Sequence, residues 1–404
     1  MSQETRTILV IASYEKGHEF LRSCKREGWR VVLLTSQSLE HEHHFPRESI
    51  DELYYMPDVD KKWDPVATLK AVAYLARTRV FDRIVPLDDF DLEMAAMLRE
   101  TLRIPGMGDT TTRYFRDKLA MRVRARTAGI AIPDFVHLLN DAQIHDFTKR
   151  NPAPWVVKPR SSAGAIGIKK AHSEHELWSI IHALGDDRVH YVLEKYVPGD
   201  IFHVDTLVQE GRILFVRASK YGRPPLDVSH GGDVFTSRIL APEDPDAKAL
   251  IELNAKVLSE LHLLRGASHT EFIRGQADGK LYFLETSARV GGAPLADMID
   301  AATGINLWAE WAKIELAGEG GSYTLPSTRE DFAGLVITLA KQEHPDTSAY
   351  DDPEIVWRLD KRFHVGVIVR SPSASRVAEL VDSYVERFHH DFHAKAPPLQ
   401  KASS

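Results

Sequence analysis

Two glutamates stand in the middle of apolar, strand-like segments, which is an unfavourable place for a carboxylate. Glu271 lies in HTEFIRG and Glu285 in YFLETSAR, on either side of an Asp-Gly turn at residues 278–279. Two carboxylates on adjacent strands repel each other unless a cation lies between them. Because Mg²⁺ (or Mn²⁺) takes hard oxygen ligands, the pair predicts a metal site. Ser287, two residues beyond Glu285 and therefore on the same strand face, is predicted to be a further ligand.

Arg289 follows Glu285 by four residues and is expected near the same strand end. A guanidinium there can bind phosphoryl or carboxylate oxygens through two parallel hydrogen bonds, so Arg289 is predicted to be catalytic. An inter-strand salt bridge between Arg289 and either glutamate is the alternative. Gly291 and Gly292, directly after it, are predicted to lie against the substrate.

A second candidate segment, WVVKPRSSAGAIGIKK, places a lysine before a run of small residues. A Walker A loop has the opposite order, with its lysine after the glycines. Here a strand ending at Lys158 is followed by a turn and a second strand, so one amine and several backbone N–H groups can surround a phosphate chain. A plain flexible hairpin is the alternative. The predicted phosphate-binding residues are Lys158, Ser161, Ser162, Gly164 and Gly167.

The segment YVLEKYVPGD reads as a strand that runs into a Pro-Gly turn. Glu194 can accept a hydrogen bond from an adenine amino group, and the backbone at Lys195 and Val197 can pair with the ring edge. An ordinary strand end is the alternative.

Hydrophobic periodicity predicts the elements that position these residues. Short β-rich runs such as TILVIAS alternate with helical segments over residues 1–112, which predicts a parallel sheet with helices on its faces. The first turn, ASYEKGHE, lacks G-x-G-x-x-G, so a dinucleotide fingerprint is missing. Residues 113–322 mix long strands with helices and contain a small unit at about 131–200. Residues 323–404 are predicted to form a C-terminal α/β unit with a frayed tail, and the fold class is α/β and α+β.

Composition describes a globular chain of 404 residues with a net charge of -7 and a single cysteine, Cys24. The negative charge argues against nucleic acid and anionic membranes as general partners. Neither a signal-peptide core nor a membrane-spanning run is recognisable, which predicts a cytoplasmic protein. The single cysteine excludes an internal disulfide, and Cys24 is expected to be a small buried helix residue.

As an ordered set, these segments resemble the ATP-grasp superfamily over roughly residues 1–320. The motifs that carry the resemblance are Lys118 in RDKLAMR, Lys158 with its small-residue loop, Glu194 to Val197, Glu271, and ETSAR at 285–289. The resemblance implies two α+β subdomains that hold ATP behind an N-terminal parallel-sheet domain. It also implies that Lys118 and Lys158 bind phosphates and that residues 194–197 bind adenine. The glutamates would bind Mg²⁺, and Arg289 would steady the transferring phosphoryl group.

The sequence departs from the family pattern at two positions. Ser287 stands where many members have an asparagine metal ligand, which leaves open whether one or two metals bind. Ile201 stands where many members have an acid that binds the ribose. His203, Asp205 or Asp200 can replace that acid, and His203 is favoured as the cofactor-binding residue.

The segment SKYGRPPLDVSHGGDVFTSR, residues 219–238, is predicted to form a polar loop over the reaction centre. Lys220 and Arg238 can hold a substrate carboxylate, and His230 can approach the γ-phosphate. A solvated surface loop is the alternative. Earlier in the chain, Asp88 and Asp89 follow a strand at an edge where α/β folds bind ligands, and N-capping by one of them is the favoured interpretation.

The function predicted is an ATP-dependent carboxylate–amine ligase that works through an acyl phosphate. HTE and ETSAR are most similar to L-amino-acid ligases, so amino-acid-like carboxylate and amine substrates are expected, and a homodimer is left open. One alternative is a biotin-carboxylase-like enzyme that uses bicarbonate. The other is a non-catalytic ATP-binding protein, which Ser287 and Ile201 would favour.

Overall fold

A computed structural model describes residues 5–41, 43–164 and 166–394; for residues 229–231 it describes the backbone only. The N-terminal part is built on a four-stranded parallel sheet in the order β3-β2-β1-β6. All six residues of β1 are buried, as expected for a central parallel strand with both faces covered. The strands of this sheet are β1 (Thr7–Ala12), β2 (Arg30–Ser36), β3 (Glu52–Met56) and β6 (Arg83–Pro86). Two short strands, β4 (Asp58–Val59) and β5 (Lys62–Trp63), pair with each other outside it.

Three helices accompany this sheet, and two more lead out of it. Cys24 is buried in the first of them, as predicted. Asp117 caps the last, where its carboxylate accepts a 2.9 Å hydrogen bond from the Leu119 N–H, and this places Lys118 in the first helical position. The helices are α1 (His18–Arg26), α2 (Pro65–Leu75), α3 (Leu92–Leu102), α4 (Asp109–Arg113) and α5 (Lys118–Thr127).

A small antiparallel sheet in the order β7-β10-β8-β9, covered by two helices, forms what we call the lid unit. It has a hydrophobic core of its own that includes Leu138, Phe147 and Leu193. Its elements are β7 (Phe135–His137), α6 (Asp141–Arg150), β8 (Trp155–Pro159), β9 (Lys169–Ala171), α7 (Glu174–Leu184) and β10 (Tyr191–Lys195).

The remaining strands form one eight-stranded antiparallel sheet in the order β15-β14-β11-β12-β13-β16-β18-β17. Its strands are β11 (Gly199–Gln209), β12 (Arg212–Tyr221), β13 (Phe235–Ile239), β14 (Arg265–Gly275), β15 (Leu281–Ser287), β16 (Phe332–Leu339), β17 (Ile355–Arg358) and β18 (His364–Ser371). The accompanying helices are α8 (Pro225–Gly231), α9 (Pro245–Glu260), α10 (Leu295–Thr303), α11 (Leu307–Ala317) and α12 (Ala374–Asp391).

The strands after residue 322 do not form a sheet of their own. β16 pairs with β13, so the C-terminal segment extends the large sheet, and the predicted division of the chain at residue 322 stays a prediction. The predicted tail lies mostly outside the described residues. The mixed α/β and α+β fold class is confirmed.

The N-terminal sheet and the large sheet share one hydrophobic core. Helix α11 packs against α1, where the Ser23 hydroxyl donates a 3.0 Å hydrogen bond to the Ala309 carbonyl and Phe20 meets Trp311 edge-on at 5.1 Å. Apolar residues of both sheets belong to the same buried cluster. In the described part of the chain, no helix has the length and apolar character needed to cross a bilayer.

Candidate active site

The predicted chemical residues gather where the N-terminal part, the lid unit and the large sheet meet. Two cavities lie side by side there, with volumes of about 200 and 220 Å³. We call the first the central cavity and the second the strand-end cavity, because it reaches the end of β10. The two cavities adjoin each other, and five residues line both of them: Lys118, Gly164, Pro225, Glu271 and Glu285.

Glu271 and Glu285 stand directly opposite each other on β14 and β15. A β-bulge produces this register: Glu271 pairs with Glu285, but the next residue, Phe272, pairs with Phe283, which leaves Leu284 as the extra residue. The bulge lets Phe283 pack against Phe272 in the core while Glu285 faces the cavity. The predicted approach of the two carboxylates is therefore present.

Lys118 and Tyr221 supply the nearest partners of the two glutamates. Lys118 Nζ lies 2.6 Å from Glu285 Oε2 and donates a 2.7 Å hydrogen bond to the Ser162 carbonyl. The Tyr221 hydroxyl donates a 3.1 Å hydrogen bond to Glu271 Oε1. Burial opposes ionisation of Glu271, but the hydrogen bond and charge of His269 outweigh it and lower its pKa. One lysine and one phenol thus face two carboxylates, an arrangement with room for further positive charge.

Arg289 is held by an aspartate that sequence reasoning did not assign to the site. Its Nε donates a 2.8 Å hydrogen bond to Asp89 Oδ2, and its Nη2 donates to the same oxygen. The Ser287 hydroxyl donates to the other oxygen of Asp89. Burial opposes ionisation of Asp89, but the charges of Arg289 and Arg116 and these hydrogen bonds hold its pKa far below the ordinary value.

These contacts bear on three predictions. The salt-bridge partner of Arg289 is Asp89 rather than either glutamate. The Ser287 hydroxyl is directed to Asp89, although Ser287 lines the central cavity, and its role as a metal ligand stays a prediction. Asp88 is the N-capping residue, accepting a 3.1 Å hydrogen bond from the Phe90 N–H.

His203 lies beneath the cavity rather than in its wall, which corrects its prediction as a ribose-binding residue. It is fully buried, with Nδ1 at 2.7 Å from Asp205 Oδ2 and Nε2 at 2.7 Å from the Ser237 hydroxyl. Asp205 also contacts His269 Nδ1 at 2.8 Å through its other oxygen. Both ring nitrogens of His203 and both Asp205 oxygens are therefore occupied.

His269 is the end of this hydrogen-bonded chain that reaches the central cavity. Burial by itself would lower the pKa of His269, but the charge and hydrogen bond of Asp205, together with the Glu271 carboxylate 3.7 Å away, raise it to about 9. His269 is therefore a cation at neutral pH, placed beside Glu271. Sequence reasoning quoted this residue in the HTE motif without assigning it a role.

In the strand-end cavity, Lys158 and Glu194 face each other across the β8–β10 pair. Lys158 Nζ donates a 2.8 Å hydrogen bond to Glu194 Oε2, and Arg122 Nη2 of α5 lies 2.9 Å from Glu194 Oε1. Glu194 and Arg122 are 1% and 0% exposed, so the charges must be mutually compensated. Burial opposes ionisation of Glu194, but the two cations lower its pKa to about 2. The carboxylate thus anchors Lys158, and its predicted adenine contact stays a prediction.

The segment after Glu194 lines the same cavity. Lys195, Val197 and Ile201 all face it, but the Lys195 N–H already donates a 2.8 Å hydrogen bond to the Asp134 carbonyl. Asp227 of α8, which sequence reasoning did not select, also lines this cavity.

The residues of the small-residue loop after Lys158 line different cavities. Gly164 lines both the central and the strand-end cavity and has φ +67°, a conformation that favours glycine. Ser162 lines the central cavity. Ser161 instead faces a neighbouring cavity, and Gly167 lies beside Pro159, outside the walls of both site cavities.

Two predicted substrate residues face away from the cavities. Lys220 Nζ pairs with Asp200 Oδ2 at 2.7 Å and lies over the Phe202 ring, on the opposite face of the sheet from Tyr221. Arg238 pairs in register with Lys220 and shares that face. The prediction that Lys220 and Arg238 bind the substrate is therefore corrected, because their side chains lie on the face of the sheet away from the cavities.

Two other predictions concern the same region. The side chain of His230 lies outside the described residues. Gly292 lines the central cavity, and Gly291 packs so closely on His269 that an added Cβ would lie 2.9 Å from its Nδ1.

Comparisons with known proteins identify a matching domain family and several similar chains. Residues 151–297 match the ATP-grasp domain family. The chain is 30% identical over 264 residues to the L-arginine-specific L-amino acid ligase of Bacillus subtilis, covering 64% of this chain and 62% of that protein. It is 25% identical over 162 residues to D-alanine--D-alanine ligase A of Bacillus cereus, covering 39% and 50%. The chain thus spans about half to three fifths of these relatives.

Solved structures resemble the whole chain at lower identity. An L-amino acid ligase from Bacillus licheniformis superposes with a TM-score of 0.77 at 18% identity, over 97% of this chain and 99% of that one. The biotin carboxylase domain of a Hydrogenobacter thermophilus 2-oxoglutarate carboxylase, solved with MgADP, has a TM-score of 0.69 at 17% identity, over 95% and 90%. At these identities the likeness shows the fold alone.

Proposed function

We propose that the chain is an ATP-dependent carboxylate–amine ligase, because residues 151–297 match the ATP-grasp domain family. In the proposed reaction a carboxylate oxygen attacks the γ-phosphorus of ATP, which gives an acyl phosphate and ADP. The amine nitrogen then attacks the acyl carbon. The C–O bond to phosphate breaks, the amine loses a proton, and an amide and inorganic phosphate result.

The observation that carries this proposal is the charge arrangement of the central cavity. Glu271 and Glu285 face each other in register, Lys118 contacts Glu285, and Arg289 lines the same cavity. Lys158 faces the adjoining strand-end cavity. A nucleotide that spans both cavities has its phosphate chain among these cations, and phosphoryl transfer depends chiefly on positioning and charge stabilisation.

The residues present fit a divalent cation of the Mg²⁺ type. Two carboxylates placed opposite each other on neighbouring strands, and lining the same cavity, are the hard oxygen donors that such an ion prefers. Glu271 and Glu285 would hold the ion. When bound, it supplies Lewis-acid neutralisation of phosphoryl charge.

The chain's own residues position the nucleotide. In the proposed orientation, adenine occupies the strand-end cavity beside Lys195 and Val197, and Lys158 and Lys118 contact the phosphates. Asp227 is the exposed acid of that cavity, and we assign it the ribose hydroxyls in place of His203. Arg289 contacts the transferred phosphoryl group, in exchange for part of its contact with Asp89.

The substrates proposed are amino acids. The curated relatives named above join amino acids, which favours amide formation over the biotin-carboxylase-like alternative. The non-catalytic alternative rested on Ser287 and Ile201. Because Ser287 holds Asp89 and Asp227 offers another acid, neither substitution argues against catalysis.

A phosphate-release screen tests the proposal. The protein is incubated with MgATP and L-amino acids, singly and in pairs, and products are identified by mass. We expect ADP and phosphate in equal amounts with an amide whose mass is the sum of two amino acids less one water. ATP binding without phosphate release across the panel would support a non-catalytic protein, and bicarbonate-dependent, biotin-stimulated ADP release would support a carboxylase.

A further inference from the structure

A third and larger cavity adjoins the central cavity on the side of the N-terminal domain. This outer cavity has a volume of about 730 Å³. Arg116 and Ser162 line both it and the central cavity, so they stand where the two cavities adjoin. On the N-terminal side its wall is largely aromatic and apolar, formed by Tyr14, Trp63, Phe90, Met94 and Met97.

Arg116, where the two cavities adjoin, is a buried cation that has no ion-pair partner among the described residues. It is 8% exposed, and its Cζ lies 4.8 Å from the centroid of the Phe90 ring. Its Nε is buried with no hydrogen-bond partner, and among the described residues no carboxylate lies within salt-bridge distance of its guanidinium. Asp89 acts on it at longer range, but the Asp89 oxygens already accept from Ser287 and Arg289.

A buried guanidinium without an ion pair of its own is costly, and an anion that binds it lowers this cost. Stacking on Phe90 also restricts the orientation of the Arg116 guanidinium before any ligand arrives. The position therefore suits a planar anion such as a carboxylate, which a guanidinium binds through two parallel hydrogen bonds.

We propose that Arg116 binds the carboxylate of the amino acid that supplies the amine, whose side chain then lies in the outer cavity. This inference rests on the proposed ligase function. Two carboxylates enter such a reaction, and the activated one loses its charge as it becomes an acyl phosphate and then an amide. The carboxylate of the amine donor keeps its charge throughout, so it is the one that needs a permanent counter-charge.

The lining of the outer cavity indicates which side chains it accepts. Its aromatic and thioether wall gives an apolar or aromatic side chain a surface on which to pack. Charged residues of both signs line the rest of the cavity, which suits a zwitterionic amino acid better than a side chain that carries a single net charge. They are Asp60, Lys61, Lys62, Asp91, Glu93, Asp109 and Arg113.

The test compares two amine donors: the best L-amino acid of the pairwise screen and the carboxamide of the same amino acid, which lacks the carboxylate. In the unmodified protein we expect kcat/KM for the acid to exceed that for the carboxamide by about ten- to a hundredfold, as for one charge-assisted contact. In Arg116→Gln the KM for the acid should rise by that factor, so that the two donors become equivalent, while the KM for ATP stays unchanged. Arg116→Lys, which keeps the charge, should retain part of the preference.

Arg126→Gln is the matched control, because Arg126 also lies over a phenylalanine, Phe135, at 4.6 Å but lines none of the three cavities. It should leave the preference unchanged. Equal use of acid and carboxamide by the unmodified protein would overturn the inference, even if Arg116→Gln does not fold. A rise in the KM for ATP alone would also overturn it, by assigning Arg116 to the nucleotide. A screen without any amide product would instead remove the proposed function itself.

Discussion

Asp89→Asn should destabilise the protein without nucleotide and make it depend on nucleotide for stability. Asp89 accepts hydrogen bonds from Arg289 and Ser287, and the pair is buried, with 7% of the aspartate and 12% of the arginine side chain exposed. Breaking a buried ion pair costs roughly 3–5 kcal/mol. The asparagine keeps one acceptor oxygen, so we expect a loss of about 3 kcal/mol, at the lower end of that range.

This loss converts into a measurable melting shift. An unfolding entropy of about 2.1 cal/mol/K per residue gives a chain of this size about 0.85 kcal/mol/K, so the Tm should fall by about 3–4 °C. Addition of MgATP should recover most of it, because phosphoryl oxygens give Arg289 a new anion. The assay is thermal unfolding followed by fluorescence, with and without MgATP.

Asp88→Asn is the matched control, because Asp88 is also buried and ion-paired, with Lys16, but lines neither site cavity. It should lower the Tm without any additional gain from MgATP. If Asp89→Asn melts like the unmodified protein and gains no more from MgATP than it does, Arg289 is not held by Asp89 in the way described.

Three further changes test the rest of the site. Lys158→Ala should weaken ATP binding, measured by calorimetry, about ten- to a hundredfold, because one charge-assisted contact is lost. Lys169→Ala, which changes an exposed lysine on the neighbouring strand, should leave the affinity for ATP unchanged. Equal affinities of the two variants would exclude Lys158 from the site. Glu285→Gln should abolish Mg²⁺-dependent ADP release with the far-UV spectrum preserved, and turnover that persists at high Mg²⁺ would show that Glu285 serves only as a partner of Lys118. The pKa of Glu194 is lowered to about 2 in the folded protein, so its stabilising contribution is complete above about pH 4.5 and is lost as the pH falls toward 2. Glu194→Gln should therefore reduce the loss of Tm between pH 4.5 and pH 2. The same loss of Tm in both proteins over this range would contradict the ion pair.

Local pattern was sufficient to predict the two glutamates and the hairpin that joins their strands. It could not predict that Glu271 and Glu285 stand directly opposite each other, because that register depends on a β-bulge at Leu284. No glycine or other turn residue at this point of the sequence indicates a bulge. Nor could the sequence predict that His203 is fully buried beneath the cavity. How deeply a side chain is buried depends on what packs over it, and here the Tyr221 ring stacks on His203 with 4.7 Å between the ring centroids. The alternation of polar and apolar residues along a strand carries no information about such packing.

Contacts between distant segments were the part that sequence reasoning missed. Asp89 and Arg289 are 200 positions apart, and nothing in either local segment identifies the other as its partner. The same holds for the pairing of β16 with β13, which joins the C-terminal strands to the large sheet. Strand signals predict that a segment is extended, but its neighbour is selected by the packing of the whole chain.

The separate hydrophobic core of the lid unit has a consequence for how a nucleotide could enter. Because the lid unit keeps its own apolar interior, it can rotate as a rigid body while the core shared by the other two sheets stays intact. Lys158 would travel with it, whereas Lys118 would remain with the base. The contact between Arg122 of α5 and Glu194 of the lid unit is fully buried, so breaking it would be costly and we expect it to persist during such a rotation. We therefore expect opening to widen the gap between the two lysines while the Arg122–Glu194 distance barely changes.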